Sequence, residues 1–270
     1  MVKEVSKNSL TYFGPLVYYE LAKQIELKAL ECDIAKYKDK KFIVSDCFLD
    51  KDELLVTGSK LISHSVLKNL KKGETSNLNE YIVSANCLEK AELLITNYKK
   101  INDGDLKIIL NDLFKMYLLD NLCDNKDRHE GNWGIIYTDD KGASLAPVYD
   151  NEFIFNLENR DNVIFNIIAK SNYSNLQTKP SPLRFRLSCN SRHLSSLDEL
   201  ETLFKSSNDH TKKEILELIN KLDVYSAIKE VELKVNHSLP NKIKKLITNT
   251  FKINKDLALS TLTKDKPHIK

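Results

Sequence analysis

The run DNKDRHEGNWGIIYTDDKGASLAPVYD, residues 124–150, decides how this chain is read. WGIIYT (133–138) is rich in β-branched and aromatic residues and predicts a strand. TDDKG (138–142) is a turn, and SLAPVY (144–149) predicts a returning strand. The polar cluster before Trp133 therefore sits at the mouth of a hairpin whose other end delivers Asp150. Upstream, Leu106, Ile109, Leu110, Leu113, Phe114, Tyr117 and Leu118 recur at the spacing of one helical face. That spacing predicts a helix over 106–122 with its apolar face in the main core. A rigid helix of this kind pre-organises the polar cluster that follows it.

Working outward, residues 16–25 (LVYYELAKQI) predict a short helix. Residues 30–46 predict a hairpin, with LECDIAKY as one strand, KDKK as the turn and FIVSD as the second strand. After Phe48 the pattern is mostly helical. Residues 71–79 read as a surface loop, and helix is expected over 80–99, 211–222, 224–235 and 241–259. Residues 157–194 show no clean periodicity. Ser196-Leu-Asp-Glu199 is a capping-box pattern that opens a further helix. Residues 263–270 read as a frayed, disordered tail. The expected class is α+β and mostly helical, with no internal repeat.

Composition narrows the function classes. With 270 residues, 41% hydrophobic and 29% charged, the chain can bury a sizeable core as one large domain or two lobes. The net charge of +3 gives no reason to expect nucleic acid or a membrane surface as the main partner. Cys32, Cys47, Cys87, Cys123 and Cys189 are odd in number and form no Cys-x-x-Cys pair, which fits a reducing cytoplasm. No apolar run is long enough to span a bilayer. The Lys, Asn, Ile and Leu content points to an AT-rich bacterial genome. Zinc-protease, Walker, nucleophile-elbow and dinucleotide fingerprints are all absent. The lysine-rich stretch 241–270 reads as a solvated helix face, with a docking surface for an acidic partner as the alternative.

Asp127, Asn132 and Asp150 carry the chemistry. Phosphoryl transfer needs a group that orients the attacking hydroxyl and ligands that hold magnesium against the phosphates. Magnesium prefers hard oxygen donors, which Asp and Asn supply. Asp127 and Asn132 stand at the spacing of the base and the metal-binding Asn in a kinase catalytic loop. The hairpin can then fold Asp150 back beside Asn132. Asp127 is thus the candidate base, Asn132 and Asp150 the candidate magnesium ligands, and His129 a candidate donor to the transferring phosphate. The competing reading is a solvated loop, because Asp and Asn at this spacing are common. In that reading Gly131 and Gly134 only serve the turn. Trp133 is read as a core residue in either case.

DNKDRHEGNWGII followed by LAPVYD resembles the catalytic and metal motifs of HipA-like serine/threonine kinases, and within them the small CtkA-type proteins. The upstream run LVYYELAKQIELKALECDIAKYKDKKFIVSDCF is similar to that family's N-lobe helix, strand pair and hinge. The resemblance covers roughly residues 1–155. It implies a bilobal, protein-kinase-like fold related to phosphatidylinositol kinases, and use of ATP and Mg2+. It implies that Ser45, Asp46, Cys47 and Phe48 meet the adenine, and that Lys3 binds phosphate. It also implies a reduced N-lobe and hinge over 1–48 and a helical C-lobe over 49–262.

Two departures from the family pattern qualify these expectations. Only two residues precede Lys3, with no Gly-rich segment, so a truncated N-lobe is expected. The helix position that normally offers a Glu to the lysine is Pro15, and Glu20 follows more than a turn later. A protein serine/threonine kinase, in one version a toxin with an antitoxin partner, is the leading expectation. A pseudokinase or nucleotide-binding module completed by a second polypeptide is the alternative. A lipid kinase ranks third, because related lipid kinases carry a similar loop.

Overall fold

The structure is a computed structural model that describes residues 2–5, 11–72, 87–99, 101–138, 142–155, 157, 200–201, 203–205 and 207–263. In chain order its elements are β1 (Val2–Val5), α1 (Phe13–Gln24), β2 (Asp33–Tyr37), β3 (Lys40–Val44), β4 (Glu53–Thr57), α2 (Gly58–Lys72) and α3 (Cys87–Tyr98). They continue with α4 (Asp103–Leu122), β5 (Gly134–Thr138), β6 (Gly142–Leu145), α5 (Asp209–Lys221), α6 (Val224–Val235) and α7 (Asn241–Thr263).

Two antiparallel three-stranded sheets, ordered β1-β3-β2 and β4-β5-β6, sit among the helices. The expected hairpin forms, with Tyr37 paired to Lys40. Its turn is tighter than KDKK, because Lys38 takes a left-handed backbone (φ 53°) and lets Lys40 and Lys41 join β3. β1 adds on the other side of β3, with Lys3 opposite Ile43. α1 starts at Phe13, three residues before the expected boundary, and buries Phe13, Leu16, Val17, Tyr18 and Leu21. Pro15 lies in its first turn, where a missing N–H costs no helical hydrogen bond.

β4 adds a strand that the mostly helical pattern after Phe48 does not reveal, although helix still predominates there. Leu54, Leu55 and Val56 form too short an apolar run for periodicity to separate strand from helix. What makes it a strand is its partner, distant in sequence: Thr57 pairs with Gly134 and Val56 with Ile135. β5 and β6 form the hairpin expected from WGIIYT and SLAPVY, with Ile135 opposite Leu145.

β4 runs directly into α2, and this corner touches the polar loop. The first amides of a helix have no partner within it. Here Gly58 N–H donates to the Trp133 carbonyl at 3.0 Å and Ser59 N–H to the Glu130 carbonyl at 2.9 Å. Only glycine permits that approach. A Cβ at position 58 would lie 2.6 Å from Trp133 Cε2 and 2.7 Å from the Glu130 oxygen.

α4 is the core helix anticipated from its periodicity, and Ile109, Leu113, Tyr117, Leu118 and Leu122 are buried. Asn102 caps its start by accepting the Asp105 N–H at 2.8 Å. Its end is a Schellman closure: Asn125 N–H reaches the Asp120 carbonyl at 2.8 Å and Asp124 N–H the Asn121 carbonyl at 3.2 Å. Asp124 supplies the left-handed residue (φ 52°) that this closure needs. α7 crosses there, and its buried Asn254 donates to the Leu122 carbonyl at 3.2 Å.

α5, α6 and α7 match the expected C-terminal helices to within a few residues. Lys71 and Lys72, expected in a surface loop, and Thr263, expected in the tail, end α2 and α7; residues 73–79, 158–194, the capping box at 196–199 and 264–270 lie outside the described residues. No described helix is long and apolar enough to cross a membrane.

Gly58→Ala is expected to cost about 1–3 kcal/mol, the range for overpacking a filled site. Urea unfolding of the variant checks this, and an unchanged midpoint would contradict the close contact at the corner.

Candidate functional site

The site is assembled around a buried guanidinium. Arg128 and Asp120 both have fully buried side chains. Arg128 Nε donates to Asp120 Oδ2 at 2.8 Å, and Nη2 reaches Oδ1 at 3.3 Å. Nη1 donates to the Asn132 carbonyl at 2.6 Å and to the Tyr149 carbonyl at 2.8 Å, and Nη2 also donates to Asn151 Oδ1. One side chain thereby joins the end of α4, the polar loop and the segment after β6. Burial alone would lower the basicity of Arg128, but Asp120 outweighs it, so the group stays a cation. Burial, with the Asp120 charge adding to it, pushes the neighbouring Tyr18 phenol well above its usual range.

Two carbonyls bound to one nitrogen are neighbours, so Asn132 and the residue before Asp150 are brought together. Tyr149 reinforces the contact, its hydroxyl donating to the Gly131 carbonyl at 3.0 Å. Further along, Lys126 N–H donates to the Phe153 carbonyl at 3.1 Å and Phe155 N–H to the Cys123 carbonyl at 2.7 Å. The Asp150 segment thus lies against the polar loop over several residues.

Within the loop, Asn125 accepts the Asp127 N–H at 3.0 Å while its amide donates to Asp120 Oδ1 at 2.8 Å. Asn132 Nδ2 donates to the Asp127 carbonyl at 2.8 Å. With its nitrogen committed there, Asn132 Oδ1 is the end left to face a cation. His129 Nδ1 accepts the Gly131 N–H at 3.0 Å, so in the neutral ring the proton sits on Nε2. The Asp127 side chain is only partly buried.

Lys3, on the edge strand β1, reaches across to this segment. Its Nζ lies 3.3 Å from Asp150 Oδ1 and 2.8 Å from Glu152 Oε1. Partial burial pulls its pKa down, but Glu152 and Asp150 outweigh this and leave it raised. Glu20 does not serve as the lysine's partner. It is buried and pairs within its own helix with Lys23 at 2.6 Å, and Pro15 offers no charge.

Ser45, Asp46, Cys47 and Phe48 line a cleft of about 520 Å3, together with Val2 and Leu30. Phe48 stacks on Tyr149 with ring centroids 5.8 Å apart, which connects this cleft to the Asp150 segment. Trp133 is 2% exposed, as expected of a core residue.

Among the described residues no group of three His, Cys, Asp or Glu side chains could hold a metal ion. The remaining donors, the Asn132 amide oxygen and the Asp150 carboxylate, suit magnesium. That ion commonly takes one or two protein oxygens and fills its octahedron with water and substrate phosphate.

Sequence reasoning missed Asp120, Asn125, Asn151 and Gly58. Asp120 had a readable signal: it follows the apolar run Tyr117–Leu119 near the end of a core helix, and a buried charge needs a partner. Asn125 had only the weak local signal of an asparagine that accepts the N–H two residues on, and the bond from Arg128 to Asn151 spans separate segments.

The sequence over residues 9–227 matches the HipA-like C-terminal domain family. No curated protein matches the chain. Among solved structures it is similar to the Helicobacter pylori proinflammatory kinase CtkA, with a TM-score of 0.65 at 20% identity over 96% of this chain and 87% of that one. It is also similar to a chain of the Shewanella oneidensis MR-1 toxin–antitoxin complex of HipA, HipB and operator DNA. There the TM-score is 0.55 at 13% identity, over 98% of this chain and 60% of that one. At these identities the likeness is one of fold, mostly helical with small sheets.

Asp120→Ala leaves the Arg128 cation buried and unpaired, so it should cost about 3–5 kcal/mol. Chemical denaturation measures this, and a loss under 1 kcal/mol, about the worth of an exposed pair, would contradict the central role of the ion pair.

Proposed function

The chain belongs to the HipA-like C-terminal domain family, and on that premise we propose that it is an ATP- and magnesium-dependent protein serine/threonine kinase. The observation that carries the reading is the Arg128 clamp. It gathers the Asn132 and Tyr149 carbonyls on one nitrogen and so sets Asp150 beside the loop of Asp127.

In this reading Asp127 orients the substrate hydroxyl and accepts its proton as the oxygen attacks the terminal phosphorus of ATP, whose bond to the bridging oxygen breaks and releases ADP. Its backbone, held by Asn125 and Asn132, keeps that carboxylate at a fixed position. His129 Nε2–H donates to an oxygen of the transferring group. Lys3 neutralises phosphate charge. The cleft at Ser45–Phe48 takes the base, with Phe48 and Tyr149 as its aromatic contacts. Asn132 and Asp150 would hold magnesium, which supplies positive charge against the phosphates. The chain then divides into an N-lobe and hinge over 1–48 and a C-lobe over 49–262.

A toxin whose antitoxin is a separate protein is the biological setting we favour, since one structural neighbour comes from a toxin–antitoxin complex. A second reading, a nucleotide-binding module without transfer, draws on one observation: the α1 carboxylate Glu20 is turned to Lys23 rather than to Lys3. Metal-dependent ATP turnover by the purified chain decides between the two.

Asp127→Ala is expected to lower transfer from ATP to a protein hydroxyl by about 10²–10⁴-fold, the usual contribution of a general base. Because the side chain is partly exposed, the melting temperature should stay close to that of the parent. Equal transfer by variant and parent would reject the kinase reading.

A further inference from the structure

A kinase lysine that binds phosphate needs a carboxylate to hold it in place, and α1 does not offer one here. We propose that Glu152 is the positioning residue for Lys3, an inference that rests on the kinase reading above. It holds the ammonium beside the site while leaving Asp150 free for a cation.

Distance and burial favour Glu152 over Asp150 as the permanent partner. Lys3 lies 2.8 Å from Glu152 and 3.3 Å from Asp150, and the Glu152 side chain is 13% exposed against 35% for Asp150. The Glu152 backbone is also firmly set. Its neighbour Asn151 is buried and bound by Arg128, and by its own amide to the Val148 carbonyl at 3.3 Å. From the other side the first turn of α1 presses on the same strand of backbone. A Cβ at Gly14 would stand 2.7 Å from the Asn151 oxygen and 3.2 Å from that of Glu152. The backbone that carries Glu152 therefore cannot shift away from Lys3 without moving α1 or the Arg128 cluster.

The arrangement has an electrostatic consequence. Asp150 faces two competing cations, the ammonium of Lys3 and a divalent ion. With Glu152 present, Lys3 keeps a carboxylate when Asp150 turns to the metal. With Glu152 neutral, Lys3 has Asp150 alone, and the metal must displace it. Glu152 thus lowers the magnesium concentration at which nucleotide is held.

The test is a fluorescence titration of the full chain with N-methylanthraniloyl-ATP across a magnesium series. Glu152→Gln should raise the magnesium concentration for half-maximal binding by about tenfold, the scale of one charge-assisted hydrogen bond. Glu152→Asp, which keeps the charge, should recover most of the parent value. In a Lys3→Met background the Gln substitution should add no further shift, which a merely structural role for Glu152 would not produce. An unshifted Glu152→Gln titration, or an equal shift with and without Lys3, overturns this assignment alone. Absence of nucleotide binding by the parent chain overturns the kinase reading and this assignment with it.

Discussion

The pairing of Arg128 with Asp120 is the interaction on which the rest of the site depends. A guanidinium taken fully out of water is tolerable only with a carboxylate and with its remaining N–H groups satisfied. Arg128 meets that requirement by binding Asp120, Asn151 and the carbonyls of Asn132 and Tyr149. Because these partners come from α4, the polar loop and the segment after β6, satisfying one buried charge fixes three segments relative to one another. The fork geometry of arginine matters, since a lysine ammonium could not present several donors in one plane.

The candidate residues around this centre are positioned almost entirely through backbone contacts. The Asp127 N–H and carbonyl, the Glu130 and Trp133 carbonyls and the Asn132 carbonyl are all engaged. None of these contacts uses the carboxylates of Asp127 or Asp150 or the Oδ1 of Asn132. This is an economical way to pre-organise polar groups, because the interactions that hold the loop do not consume the atoms needed for chemistry. α2 contributes by giving its first amides to the loop, and α1 by lying close enough at Gly14 to brace the Asp150 segment.

Where the sequence could be read, local physics was the reason. The α4 periodicity, the β2–β3 alternation and the β5–β6 hairpin each follow from side-chain pattern over a few residues. The Asp127–Asn132 spacing was legible for the same reason, as was the return of the hairpin towards Asp150. β4 was not legible, because a short Leu-Leu-Val run takes its identity from pairing with β5 far along the chain. The role of Glu20 was also beyond reach. A helical carboxylate can turn to a partner one turn away or to another strand, and Lys23 at i+3 was available.

Taken by itself, the sequence determined α1, α4, the two hairpins and the C-terminal helices, and it set a polar loop of Asp, Asn and His side chains at a hairpin mouth. Those properties are encoded within short windows, where steric preference and hydrophobic period act. Only the tertiary structure decided that Arg128 is buried on Asp120, that Lys3 turns to Asp150 and Glu152, and that α2 begins on the loop's carbonyls. The physical reason is that the Lys3 and α2 contacts join segments far apart in the chain, and the Arg128–Asp120 pair requires two charges to lose water together. Desolvation is a property of how distant segments enclose one another, and no local stretch of chain specifies it.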